Sequence, residues 1–145
     1  MWWPLMQSLG NWLQADADLA GVSVLYGAVN PFPETDFIEL QYGGSPSFDL
    51  SANDRGDAEL WANVFSRLDR ADADPAAQTG VAYQQLDALQ GRVLSSVGEW
   101  FRTTAAVNGA TFNAQTREIQ PDGELFRADE FAACRIVLNI NWRNQ

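Results

Sequence analysis

Residues Gln84–Arg102 read QQLDALQGRVLSSVGEWFR, and their spacing decides the fold. Leu86, Leu89, Val93, Val97, Trp100 and Phe101 recur at helical spacing, while Gln84, Gln85, Asp87 and Gln90 fill the opposite side. This is the strongest periodic signal in the chain, and the pattern predicts one long helix from about Pro75 to Arg102. Gly80 reads as a break near its start, and Gly91 costs some helix propensity.

Just upstream, Asp69–Pro75 reads DRADADP. A calcium loop of the EF-hand type needs a Gly turn after its aspartates and a Glu at its twelfth position, so that oxygens converge. Here Pro75 follows Asp74, and the twelfth residue from Asp72 is Tyr83, so the motif fails. The better reading is a strand-to-helix corner. Asp74 caps the helix, Pro75 takes its first position, and Asp69 and Asp72 stay in water.

The flanking segments alternate instead. In Ala58–Leu68, Leu60, Ala62, Val64 and Leu68 share one face, and Trp61, Asn63, Phe65 and Arg67 share the other. Bulky groups on both sides predict a strand that is central or covered on both faces. Phe37–Tyr42 carries Ile38, Leu40 and Tyr42 on one face, the pattern of a half-buried strand. Val22–Tyr26 is a further strand closed by Gly27, with Pro31-Phe32-Pro33 as a stiff connector. After the long helix come a strand over Ala105–Glu118, a turn at Gln120-Pro121-Asp122-Gly123, and a long strand over Phe131–Trp142. That last strand sets Cys134, Ile136, Leu138, Ile140 and Trp142 on one face. A mostly wet face holds Arg135, Asn139, Asn141 and Arg143, with Val137 as its apolar exception. At the start, Leu5, Leu9, Trp12 and Leu13 predict a helix from Pro4 to about Ala15, which stops or restarts as a short turn near Asp18-Leu19-Ala20. The expected fold is α+β. A mostly antiparallel sheet is packed by an N-terminal helix and one long central helix, in a single domain over 1–145.

Between the two middle strands, Gly43–Asp57 is rich in Gly, Ser, Asp and Asn and lacks periodicity. Gly43-Gly44-Ser45-Pro46-Ser47 has neither the lysine nor the spacing of a phosphate cradle, and no basic residue stands between Glu39 and Arg55. A long loop that orders on a partner is the reading that fits.

Composition narrows the function. With 46% hydrophobic and 19% charged residues, the chain of 145 residues has material for one core. It has no histidine, which removes the Ser-His-Asp triad, the HExxH zinc motif and a histidine proton shuttle. Its lone cysteine, Cys134, forms neither an internal disulfide nor a cysteine zinc cage. No apolar run approaches a membrane span, and the uncharged start makes a poor signal peptide, so a cytoplasmic origin is expected. The formal charge of −10 repels nucleic acid and anionic membranes. Carboxylate pairs such as Asp16 with Asp18, or Glu34 with Asp36, read as solvated surface, because acid–base work needs two carboxylates facing across a cleft. No cofactor is expected. The tryptophans are the informative excess. Trp2 and Trp3 read either as interface anchors or as a lid on the sheet. Trp100 and Trp142 read as core, whereas Trp61, opposite the main apolar face of its strand, suits either core or a subunit contact.

Several segments together resemble one family. The first helix ends in Leu13-Gln14-Ala15-Asp16-Ala17-Asp18-Leu19-Ala20-Gly21, and the strand Ala58-Glu59-Leu60-Trp61-Ala62-Asn63-Val64-Phe65 follows a long loop. Ala82-Tyr83-Gln84-Gln85-Leu86-Asp87-Ala88-Leu89 lies in the opening of the long helix, and the chain closes on Ile140-Asn141-Trp142-Arg143. In element order, over most of its length, the chain is similar to the tail terminator, or tail completion, proteins of long-tailed bacteriophages. The motifs are apolar patterns of low specificity, and the family has no catalytic residues to carry over. The resemblance implies a non-enzymatic homo-oligomer, a hexameric ring that caps the tail tube protein and meets the head–tail connector or adaptor. It implies a place in the virion, at the tail end or neck, after assembly in the host cytoplasm. DNA would pass through an acidic lumen, which Asp69 and Asp72 would face, without specific binding. The partner-contact residues expected on this basis are Trp2, Trp3, Gly43, Gly44, Phe48, Asp49, Trp61 and Arg143, with the strand ending near Arg143 pairing with a neighbour's edge. The Trp2-Trp3 start and the length of the Phe131–Trp142 strand depart from the family's pattern. A head–tail adaptor or other neck protein is the nearest alternative. A small cytoplasmic carboxylate-based enzyme or ligand-binding module is the alternative from another class.

Overall fold

The structure, a computed structural model, describes residues 2–27, 33–43, 47–48, 55–67, 75–104, 110–121 and 131–144. Side chains are described for 3–27, 33–43, 59–67, 83–104 and 131–141. The corner Asp69–Asp74 falls outside these residues, as do Gly44, Asp49, residues 105–109 of the strand expected over Ala105–Glu118, and Asp122 and Gly123 of the expected turn.

Helix α1 covers Trp2–Ala15 and helix α2 covers Pro75–Thr103. Between and after them run β1 (Ser23–Tyr26), β2 (Phe37–Tyr42), β3 (Ser47–Phe48), β4 (Arg55–Arg67), β5 (Ala110–Pro121) and β6 (Phe131–Asn144). The sheet order is β1-β2-β4-β6-β5, with β3 also paired to β4. β1 runs parallel to β2, and every other pairing is antiparallel. The α+β class with an N-terminal and a central helix is therefore the observed one.

Alternation along the strands splits the sheet into two faces. Ile38, Leu40, Leu60, Ala62, Val64, Cys134, Ile136 and Leu138 form the face toward the helices. Leu5, Leu9 and Leu13 of α1 and Leu89, Val93, Val97 and Trp100 of α2 close over it, all essentially fully buried. At about 1.5–3 kcal/mol for each large apolar side chain buried, this layer is the main source of stability. The helices are also tied to each other through their indoles. Trp12 Nε1 donates to the Ser96 carbonyl at 2.9 Å, and Trp100 Nε1 donates to Ser8 Oγ at 3.1 Å. After α1 the chain restarts as a 3-10 turn over Ala17–Leu19, where the Asp16 carboxylate accepts from the Asp18 N–H.

Several expectations need correction. The segment 43–57 is not one long loop: β3 lies inside it, and β4 begins at Arg55, with Ser47 opposite Asp57 and Phe48 opposite Gly56. Backbone pairing with β6 carries Arg55-Gly56-Asp57 into the sheet despite their turn-like composition. β2 is not half-buried, because Phe37 and Glu39 are buried as well as Ile38 and Leu40. α2 runs through Gly80 without a break. β5 covers Ala110–Pro121, so it takes in Gln120 and Pro121, which the sequence assigns to a turn. The second face of β6 is drier than expected, since Ala133 and Val137 are buried and Arg135 is half-buried. β6 is paired on both sides, with Arg143 opposite Arg55 and Thr111, so the strand at Arg143 has no open edge to offer a neighbour.

Candidate functional site

The helix-free face carries the chemistry. At one end Phe37, Phe65, Phe131 and Ala133 form a second apolar cluster, with Leu25 against it. Phe37 and Phe65 stand opposite each other on β2 and β4 and stack at 4.3 Å between centroids, while Phe131 meets Phe37 edge-on at 5.2 Å.

One register step further along the same face, Glu39, Asn63 and Arg135 stand opposite one another on β2, β4 and β6. Asn63 is wholly buried and works as the hub. Its Nδ2 donates to Glu39 Oε1 at 3.1 Å and to Gln41 Oε1 at 3.2 Å, and its Oδ1 accepts from Arg135 Nε at 2.9 Å. The same Arg135 guanidinium lies 3.8 Å over the centre of the Trp61 ring. Trp61 Nε1 in turn donates to Glu59 Oε1 at 2.7 Å. Alternation of side chains along each strand, with three strands in register, is what aligns these groups in one row. Glu39 is 5% exposed, and burying a carboxylate is costly unless it is hydrogen-bonded, a role the Asn63 amide fills.

Gly43 belongs to this region. Its N–H donates to the Glu59 carbonyl at 2.7 Å, and a Cβ there would run into the Trp61 indole nitrogen and the Glu59 carboxylate. Thus Gly43 and Trp61, two of the expected contact residues, are brought together. Trp3 is not with them. It is half exposed at the start of α1, edge-on to Tyr26 at 5.0 Å. Of Phe48 and Arg143 only the backbone is described, in β3 and β6; Trp2 is described likewise in α1, and Gly44 and Asp49 lie outside the described residues. The residues that reasoning from sequence missed are Glu39, Gln41, Asn63 and Arg135. Their signal was available: amide and charged side chains at alternate positions of strands whose same face also carries Phe37, Phe65 and Trp61.

Among the described residues, open grooves flank the helices. One of about 540 Å³ is lined by Gln7, Ser8, Asn11, Trp12 and Trp100, and one of about 320 Å³ by Asp16, Asp18, Arg92, Ser96 and Glu99. The tryptophans in the first are held by the inter-helix bonds given above. In the second, Arg92 Nη1 donates to the Asp18 carbonyl at 3.2 Å, and Glu99 pairs with Arg102. Among the described residues, no group of three His, Cys, Asp or Glu side chains is placed to hold a metal ion. No described helix is long and apolar enough to cross a membrane. Burial pushes the Cys134 thiol up to about 11, with the Asp87 charge adding to it, and burial also raises Tyr26 and Tyr42. Comparison with known proteins finds no matching family model and no matching curated protein.

Proposed function

We propose that the chain is a structural, non-enzymatic virion protein of a long-tailed bacteriophage, assembling as a ring that caps the tail tube and joins it to the head connector. The observation that carries this reading is the plate formed by β4, β6 and β5, strands of 13, 14 and 12 residues held side by side. Helices back it on one face, and a buried hydrogen-bonded row stiffens the other. A stiff plate of long paired strands suits load-bearing contact between subunits. Trp61 and Arg135, stacked and both half-buried, are the residue types that most often anchor protein contacts, and they lie on the helix-free face. The charge of −10 suits a surface past which DNA moves without adhering.

Purified protein is to be sized by light scattering, alone and with isolated tail tubes, and the mixtures imaged by electron microscopy. Rings of uniform mass seated on tube ends are expected. A strict monomer at high concentration, with or without tubes, refutes the ring.

A further inference from the structure

We infer that copies of this chain join edge to edge, the outer side of β5 in one copy continuing into the outer side of β1 in the next. The inference rests on the ring reading above and names its joint.

The sheet has an end strand on each side, and among the described residues β1 pairs with β2 alone and β5 with β6 alone. In an edge strand alternate residues turn their N–H and C=O away from the sheet, so the 12 residues of β5 present about half of their backbone groups outward. The chemistry that satisfies such a row without water is another extended backbone. The register shift between Thr116 and Glu118 and the closing Pro121 blunt the far part of this edge, which leaves Ala110–Thr116 as the regular stretch.

Charge selects the occupant. Copies of a chain with formal charge −10 repel one another, yet neither Ala110–Thr116 nor Ser23–Tyr26 contains a charged residue. On β1, the N–H groups of Ser23 and Gly27 bond inward to Asp36 and Leu40, so alternation turns the groups of Val24 and Tyr26 outward. The Val24 carbonyl accepts a long 3.5 Å bond from Gln14 Nε2, a contact that a neighbour's N–H replaces.

Strand direction agrees. β1, β2 and β6 run one way, and β4 and β5 the other. Rotation about an axis along the strands preserves these directions, so β5 of one copy meets β1 of the next antiparallel, the better-bonded arrangement. The joint uses two different surfaces, so each added copy leaves one of each free until the ring closes.

Cysteine pairs test the joint. Ser23→Cys is combined in turn with Thr111→Cys, Asn113→Cys and Gln115→Cys, oxidised mildly, quenched with N-ethylmaleimide and run without reductant. Wild type, whose one cysteine is buried, is the control. A disulfide needs Cα atoms within about 7 Å, so cross-linking reports strand neighbours. The expected result is a ladder of covalent multimers from at least one double variant and none from the singles. Dimers formed as readily by a β5 single variant overturn the inference in favour of β5 pairing with itself. Uniform rings by light scattering with no cross-link in any double variant overturn the joint and leave the ring reading standing. Monomers throughout, with and without tail tubes, overturn both.

Discussion

Replacing Asn63 with leucine tests whether the buried row holds the sheet. The side chains are similar in size, so the change removes hydrogen bonds without opening a large cavity. Three bonds are lost: one to the Glu39 carboxylate, one from the Arg135 guanidinium and one to the neutral Gln41 amide. Bonds to charged groups contribute about 1.5–3 kcal/mol each and neutral ones about 1 kcal/mol. Arg135 keeps its place over Trp61, so part of that sum is retained. A net loss of about 3 kcal/mol is expected, most of it from stranding Glu39 in a site where it is 5% exposed. With a urea dependence of about 2 kcal/mol per molar, the unfolding midpoint falls by about 1.5 M. Gln41→Leu, which removes the neutral bond alone, is the comparison and should cost about 1 kcal/mol. Urea titration followed by tryptophan fluorescence and by circular dichroism reads both variants. An Asn63→Leu midpoint within about 0.3 M of wild type would show that the row aligns side chains without holding strands together.

Two glycines inside helices should respond in opposite senses to alanine. Gly91 has open space at its Cβ position, so Gly91→Ala stabilises by up to about 1 kcal/mol, whereas a Cβ at Gly10 enters the Tyr26 hydroxyl and ring, and Gly10→Ala destabilises by about 1–2 kcal/mol net; thermal melts separate the two signs. Trp12→Phe and Trp100→Phe each remove one inter-helix bond, and each should cost more than about 1 kcal/mol in urea unfolding. Cys134, Tyr26 and Tyr42 hold their protons more tightly folded than unfolded. Their contribution is complete below the unfolded values, about 9 for the thiol and about 10 for the phenols, and is lost as pH rises through the folded ones. Melting temperature should therefore fall from about pH 9 upward, and Cys134→Ala should flatten the first part of that fall. A thiol reagent at pH 8 should leave native Cys134 untouched and label it once urea unfolds the chain.

The elements carrying regular apolar spacing are legible in the sequence. Phe37–Tyr42 was bounded to the residue, α2 begins at the expected Pro75, and the two bulky faces of Ala58–Leu68 indicated the central position β4 occupies. What failed did so where pairing overrides composition. Arg55-Gly56-Asp57 reads as turn, yet a partner strand of 14 residues extends it. The alternation of Arg135, Asn139 and Asn141 reads as a mostly wet face of β6, but Arg135 is polar for a partner inside the protein, the amide of Asn63. No local pattern announces that pairing, since the two residues are 72 apart in sequence. For the same reason Trp61 was legible as unusual while the residues around it were not.

The place of β6 has a consequence for how the chain reaches its native state. Among the described strands it comes last in sequence, yet it lies between β4 and β5 in the sheet, with Arg67 opposite Phe131 and Arg55 opposite Arg143. Pairs so remote in sequence carry a large loop-closure cost and slow the folding step. Until β6 inserts, β4 and β5 have no common neighbour, and the inner side of each is an unpaired edge. A nascent or C-terminally shortened chain therefore exposes two strand edges meant for the same insert. Such chains should associate with one another before they fold, and assembly of the folded protein has to wait for β6.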